Sequence, residues 1–447
     1  MTHGAVPGRS TVLLLIAAAF TVTCRAGQDP PPAASGKRIE FSILEDYDKG
    51  DDLAEVARDF DLFTELGVKT WRGSFGWDDF EPTPGTYDFD WLHRFADLAA
   101  ARGIMLRPYI GYTPEWAAAG GSDREVWNDP PNDLEAWFRF ARTLAAEMRR
   151  HPNVVSYEIY NEENVRQWWD GSPEAYRDVL RRGAEAIAAG NPDAQVIPGG
   201  MVYPDIEWTE NICGDQRTRQ SIAAIPFHAY PETWTPPDVF VETYLGTGFD
   251  RFVRDADAAC GAKRLWINEM GYATTPGRTE ADQAQWWVRA VASFAATPRI
   301  EHLGIYEIKD LAQERAAIGD APNYHLGLTY VDRRKKMAFG GVARLVSMFD
   351  GQSIAWVTPM LADSGATPPA EVYRHLFTRA DGRRWLFLWT RGRQAVVDVQ
   401  LETTDSRATE FALDGTPAGQ LMIVGGRLRV TLQPGQPRFF EVIGGVP

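Results

Sequence analysis

Two glutamates stand in matching local contexts. The run Tyr157-Glu158-Ile159-Tyr160-Asn161-Glu162 leads a short apolar stretch into a turn, and Leu265-Trp266-Ile267-Asn268-Glu269-Met270-Gly271 does the same further along. In each, a glutamate follows an asparagine at the end of a strand-like segment. Carboxyl groups converging on one poorly solvated cavity raise each other's pKa, so one keeps a proton while the other ionises. The protonated one can donate to a leaving oxygen and the ionised one can attack the carbon it leaves. That division of labour breaks a glycosidic bond. An Asn-Glu pair alone is weak; two of them at equivalent strand ends make the reading.

The elements that would position the pair follow a regular pattern. From Ile39 to Asp350, short apolar segments alternate with amphipathic helices such as Asp52–Leu66, where Leu53, Val56, Phe60, Phe63 and Leu66 recur at helical spacing before Gly67. Strands are expected at Ile39–Leu44, Val68–Phe75, Ile104–Tyr109, Val154–Tyr160, Gln195–Pro198, Ala224–His228, Arg264–Asn268 and His302–Glu307. Eight strand–helix units predict an α/β fold, a (β/α)8 TIM barrel, whose reactive groups sit at the C-terminal strand ends. No glycine-rich phosphate fingerprint follows a strand, which speaks against an open doubly wound sheet. Beyond Gly351, strands separated by turns such as Asp381-Gly382 and Asp414-Gly415 predict a C-terminal antiparallel β-sandwich over 351–447. Its expected role is to shield the barrel and shape one rim of the cleft.

A net charge of −15 over 447 residues excludes a nucleic-acid-binding surface as the main function. Arg9 precedes an apolar run from Val12 to Phe20, and small residues near Cys24-Arg25-Ala26-Gly27 resemble a cleavage site. Residues 1–26 therefore read as an export signal, their apolar run being shorter than the about 20 residues a membrane span needs. Cys24 leaves lipid anchoring open, although Thr21-Val22-Thr23 departs from a lipobox. Residues 27–38, rich in proline, read as a tether before the barrel at 39–350. The protein is expected outside the cytoplasm, periplasmic, extracellular or on the cell surface. Export permits a disulfide between the remaining cysteines, Cys213 and Cys260, in helix-like segments flanking one strand; two buried thiols are the alternative. Oligomeric state is not indicated.

The motifs Tyr-Glu-Ile-Tyr-Asn-Glu at 157–162 and Trp-Ile-Asn-Glu-Met-Gly at 266–271 resemble the clan A glycoside hydrolases, most closely family 39 and its cellulase-like neighbours. The resemblance covers residues 39–443. It implies Glu162 as acid/base, Glu269 as nucleophile, and Asn161 as the partner of a sugar 2-hydroxyl. It also implies roles for Arg72, which would hold the nucleophile ionised or pair with Glu158, and for His228 and Tyr230 at the sixth strand's end. Alternation is expected to put Glu158, Tyr160 and Glu162 on one face, with Glu158 structural and Glu163 shaping a loop.

Sixteen tryptophans suggest rings that stack on sugars, with core filling as the plainer use. Strand-end position singles out Trp77, Tyr112, Trp116, Trp168 beside Trp169, and Trp234 as substrate-binding. Where many clan members carry a tryptophan after the eighth strand, this chain has Tyr306-Glu307, so either residue is expected to meet the sugar. Neither a metal nor a cofactor is expected, since no His-Glu-x-x-His or carboxylate-rich ligand pattern occurs. The expected partner is a polysaccharide or oligosaccharide. The expected activity is retaining cleavage of β-glycosidic bonds within a chain; a β-xylosidase-like exo enzyme and a non-catalytic carbohydrate-binding barrel are the alternatives. A role in bacterial exopolysaccharide remodelling is compatible with the first.

Overall fold

The computed structural model describes residues 36–236, 238–312, 320–362 and 371–442. The expected export signal and Cys24 lie outside them. Eight strands carry the barrel: β1 Lys37–Leu44, β2 Thr70–Gly76, β3 Met105–Gly111, β4 Ser156–Ile159, β5 Gln195–Pro198, β6 Ala224–Ala229, β7 Arg264–Met270 and β8 Ile300–Tyr306. Neighbours pair in parallel from β1 to β5 and from β6 through β8 back to β1. Between β5 and β6 the ring is closed by bridges at Val196–Ile222 and Met201–Phe227.

Helices pack outside because their apolar residues repeat every three or four positions. In Leu53–Leu66, Asp52 caps the first turn by accepting from the Ala54 N–H, and Gly67 ends the helix at φ 83°. Its Val56, Phe60, Phe63 and Leu66 are buried, and Phe60 meets Phe95 of the helix Asp90–Ala100. Trp71 points outward from β2 into this layer, so its neighbour Arg72 points into the barrel. No helix among the described residues is long and apolar enough to cross a membrane.

The tether expected through residue 38 ends earlier. Lys37 and Arg38 already belong to β1 and pair antiparallel with Ile354 and Ser353 of β9, Gln352–Val357. From β9 the chain builds an antiparallel array with β10 Val372–Arg379, β11 Arg384–Thr390, β12 Ala395–Gln400, β13 Arg407–Phe411, β14 Pro417–Val424, β15 Arg427–Leu432 and β16 Arg438–Val442. Their order is β9-β10-β11-β16-β13-β14-β15-β12. Phe377 and Phe387 face Phe349 of the last barrel helix, while Leu386, Val397, Leu428 and Val430 form a separate inner core. The C-terminal β-domain therefore covers barrel surface on one side and is packed within itself on the other.

Cys213 and Cys260 are joined by a disulfide between the helices Ile206–Gly214 and Thr247–Cys260, with Cα atoms 5.2 Å apart. The bridge closes a loop of sequence separation 47. For a loop that long, the chain-entropy account assigns about 4 kcal/mol of stability. The Cys213→Ser/Cys260→Ser variant is expected to unfold at clearly lower urea concentration with its circular dichroism unchanged in the absence of denaturant. An unaltered midpoint would refute the contribution.

Candidate active site

β4 and β7 bring the two glutamates together by different backbone devices. In β7 the pairing with β6 jumps from Phe227–Ile267 to His228–Glu269, so Asn268 is the extra residue of a bulge. A bulge lets consecutive residues face the same side, and Asn268 and Glu269 both turn into the barrel. Gly304 of β8 makes room: a Cβ there would lie 2.0 Å from the Asn268 carbonyl oxygen. In β4 the change comes from left-handed backbone, with φ 61° at Tyr160 and 52° at Glu162. Such conformations cost about 1–3 kcal/mol each in non-glycine residues and cluster where surrounding structure imposes them. The expected alternation is corrected here. Tyr160 packs outward against Trp137 and Trp169 and hydrogen-bonds Thr113, and Asn161 instead joins Glu158 and Glu162 inside.

Arg72 ties these ends together. Its Nε and Nη2 donate to the two oxygens of Glu158 at 2.9 and 2.6 Å, its Nη1 donates to Glu269 at 2.5 Å, and Nη2 also reaches Asn161 Oδ1 at 2.8 Å. Asn268 donates to both Glu158 oxygens at 3.0 and 3.1 Å, and the Gly200 N–H adds a bond at 2.9 Å. Glu158 is thereby committed to structure. Tyr230 donates its hydroxyl to the other oxygen of Glu269 at 2.7 Å. His228 Nδ1 lies 2.6 Å from Glu162 Oε1 and 3.3 Å from Glu269 Oε2. Gly200 admits the imidazole, since a Cβ would come within 2.3 Å of Nε2.

The charges separate the two carboxyls. Burial raises both. Glu269 stays above its ordinary range through burial, with Arg72 and the Tyr230 hydroxyl opposing that rise. Glu162 is pushed up to about 8 by burial, opposed by Arg72 from a distance. Arg72 and Tyr230 donate to Glu269 and neither donates to Glu162, so Glu269 is the better placed of the two to carry the negative charge and Glu162 the proton. Burial lowers His228 to about 4, so the imidazole between them is neutral. Ligand-type atoms of Glu162, His228 and Glu269 lie within 4.8 Å of one another, a spacing metal ligands share. Against that use, Glu269 already accepts from Arg72 and Tyr230, and the guanidinium beside it repels a second cation.

Several residues expected to meet substrate do otherwise. Arg72, 2% exposed, meets both Glu269 and Glu158, the two roles expected of it, and His228, 0% exposed, is taken up by Glu162 and Glu269. Trp77 is sealed in the core because a short helix, Trp77–Phe80, turns it inward to stack on Phe140 and bond Glu81. Trp116 leans on Trp77 and donates to the Glu81 carbonyl, which makes it backing for the wall. Glu307 is 1% exposed, and the acidic groups of Glu45 and Asp310 face it. The remaining aromatics form two rows. Tyr112 meets Trp127, which meets Trp168, each edge to face at 5.6 and 5.4 Å. Tyr230 contacts Trp234 at 4.7 Å and Tyr306 at 6.1 Å, and Trp234 is tied to Asp320 through its indole N–H.

Sequence reasoning missed Tyr109, Asp46, Asn268 and Trp127. Tyr109 lays its ring 4.8 Å from the Arg72 guanidinium and donates its hydroxyl to Asp46. Tyr109, Asp46 and Asn268 lie in or just past barrel strands, so the strand-end rule could have found them. Trp127 lies deep in a long loop, and no periodicity points to it.

Comparison with known proteins adds a context. A family model described as β-galactosidase, glycoside hydrolase family 42, matches residues 47–129, a segment that contains neither glutamate. "Beta-galactosidase BbgII" of Bifidobacterium bifidum is 32% identical over 139 residues, 27% of this chain and 20% of that protein. "Beta-galactosidase Pbg" of Clostridium perfringens is 28% identical over 127 residues, 24% and 18%. The chain thus spans about a fifth of the length of the curated relatives it matches. Among solved structures, a family 39 glycoside hydrolase from Bacteroides cellulosilyticus WH2 superposes with a TM-score of 0.71 at 16% identity, covering 91% of this chain and 81% of that one. A monomeric β-xylosidase from Caulobacter crescentus CB15 gives 0.67 at 14%, covering 93% and 98%. A family 30 endoxylanase from Clostridium papyrosolvens C71 gives 0.62 at 13%, covering 92% and 98%. These likenesses establish the fold as the barrel and β-domain of such glycoside hydrolases. They bear out the resemblance to clan A near family 39.

Glu163 separates the adjacent glutamates by experiment. It is buried, accepts from the Trp208 indole at 3.1 Å, and is pushed up to about 8 by burial. A carboxyl held protonated in the fold but ionised when unfolded stabilises fully below its unfolded pKa, and the benefit disappears as pH rises to its folded pKa. Glu163→Gln is expected to flatten the decline in thermal midpoint between about pH 4.5 and 8 that Glu163 causes, a benefit on the order of a few kcal/mol. A variant with the wild-type pH dependence of the midpoint, followed by scanning calorimetry, would contradict this.

Proposed function

We propose that the protein is a retaining β-glycosidase that cleaves poly- or oligosaccharides by double displacement, with Glu269 as nucleophile and Glu162 as acid/base. The observation that carries this reading is the pair itself. Ligand-type oxygens of the two carboxyls lie within 4.8 Å, one group is held ionised and the other is held protonated. That closeness suits retaining enzymes, whose carboxyls stand about 5–5.5 Å apart, against about 6.5–9.5 Å in inverting ones.

In the first step Glu269 attacks the anomeric carbon while Glu162 gives its proton to the departing oxygen. Esterification removes the charge of Glu269. Ionised Glu162 is then more stable, and it takes a proton from the water that releases the sugar. Arg72 occupies the Oδ1 of Asn161, which leaves the Nδ2 hydrogens to donate to the 2-hydroxyl as the transition state forms. Two aromatic rows, Tyr112-Trp127-Trp168 and Tyr230-Trp234-Tyr306, support binding on both sides of the scissile bond and hence cleavage within a chain. An early spread of oligosaccharide products is expected; monosaccharide alone would make the enzyme exo-acting. Export is part of the proposal, and the Cys213–Cys260 bridge supports an oxidising compartment.

Glu162→Ala is expected to lose about 10²–10⁴-fold in rate on natural substrates and far less on aryl glycosides with good leaving groups. Equal losses on both would remove Glu162 from the acid role. A 2-fluoro glycoside should label Glu269, as peptide mapping would read, and a label elsewhere would overturn the nucleophile. In the wild type, kcat/KM should fall as pH rises through about 8, where Glu162 loses its proton.

A further inference from the structure

Asp46 lies two residues past the C-terminal end of β1, exposed as a residue but with its carboxyl set against Tyr109 and Ser74. The Tyr109 hydroxyl lies 2.7 and 2.8 Å from its two oxygens, and the Ser74 backbone N–H donates to Oδ1 at 3.0 Å. Tyr109 rests on the Arg72 guanidinium, and Arg72 grips Glu269. Asp46 is therefore fixed two side chains from the nucleophile. The charges of Asp46 and Glu269 both bear on the Tyr306 hydroxyl.

Both donors to Asp46 are neutral. Burial raises its carboxyl above the ordinary range, and Tyr109 and Ser74 pull it back. Asp78, in the short helix after β2, is likewise open to solvent and is pushed up to about 7 by burial and by Asp79 beside it. The cations around Asp46 are already committed: Arg72 to Glu158 and Glu269, Lys309 to Glu45 and Asp59, and Lys49 to Asp88. A carboxylate held by neutral donors keeps acceptor capacity for hydroxyl groups. It also repels a second anion brought against it in a poorly solvated cleft.

We propose that Asp46 is the specificity-determining residue for the sugar whose anomeric carbon faces Glu269: it accepts hydrogen bonds from hydroxyls of an uncharged sugar and turns a uronate away. The inference rests on the glycosidase reading for the placement of that sugar.

The test uses the full chain carrying Glu269→Gln, which keeps substrate from turning over. Calorimetry at low salt compares xylo-, gluco-, manno- and galacto-configured β-linked oligosaccharides with β-linked mannuronate oligomers. The tightest neutral ligand is expected to bind at least about tenfold more tightly than the uronate. Adding Asp46→Asn should narrow that ratio several-fold, and Asp46→Ser should do the same if the asparagine variant folds poorly. A purely structural role would weaken both ligands alike. Equal weakening, a uronate bound as tightly as the best neutral ligand, or no neutral ligand bound would each overturn the proposal. Hydrolysis by the wild-type chain is scored separately. Selective binding that depends on Asp46 without hydrolysis would sink the glycosidase reading alone, and hydrolysis with an unmoved ratio would sink the Asp46 assignment alone.

Discussion

The buried guanidinium of Arg72 is the constraint around which the site is built. A cation with 2% exposure is tolerable only when its donors meet anions, and a planar fork can meet several at once. Glu158 takes two of its N–H groups and Glu269 a third, so the three charged groups together carry one negative charge. That arithmetic settles where the remaining proton goes. With Glu269 stabilised as an anion, a second unpaired anion at Glu162 is costly, and the proton stays there. Glu162 and Glu269 are distinguished by which of two similar carboxyls the arginine touches.

Holding that arrangement requires four strands to agree in register. β2 brings Arg72, β4 brings Glu158 and Asn161, β5 leads to the Gly200 N–H, and β7 brings Asn268 and Glu269. A regular strand exposes every second residue to the interior, which cannot present Asn268 and Glu269 together. The bulge in β7 and the left-handed residues after β4 are two solutions to one problem. Gly304 gives the bulge its space, and Gly200 gives His228 its space. Each glycine adjoins one of the irregularities, so the local departures from ideal barrel geometry converge on the reacting groups.

The eight barrel strands and the two strand-end glutamates were legible because they follow from short-range patterns: apolar runs, helical spacing and a charged residue just past a strand. The bulge was not, because it is defined by how β7 pairs with β6 and β8, strands distant in sequence. Trp77 satisfied the strand-end rule and still faced inward, since a four-residue helix reversed its direction. Asp46 sat in an acidic run before a capped helix, a context that ordinarily means a solvated face; only its bonds to Tyr109 and Ser74 reveal a cleft residue. Glu158 was recognised as structural from its depth in the strand, but its dependence on Asn268 and Gly200 needed coordinates.

The β-domain reaches the cleft through charge as well as apolar cover. Trp389 in β11 donates its indole N–H to Glu242 at 2.7 Å, and Arg391 reaches the same carboxylate at 3.2 Å. Arg289 of the barrel helix Glu280–Ala295 bridges Glu242 to Glu232, two residues past Tyr230. Burial pushes the Glu242 carboxyl up, but Arg289 and Arg391 favour its anion and hold it below its ordinary range. Trp286 of the same helix donates to the Pro231 carbonyl. The segment carrying Tyr230 and Trp234 is thus braced from behind by a relay that begins in the β-domain. Since the Tyr230 hydroxyl bonds Glu269 and Trp234 forms part of an aromatic row, loosening the relay would disturb Glu269 and that row together. Packing the β-domain on the barrel is in this sense part of building the active-site wall.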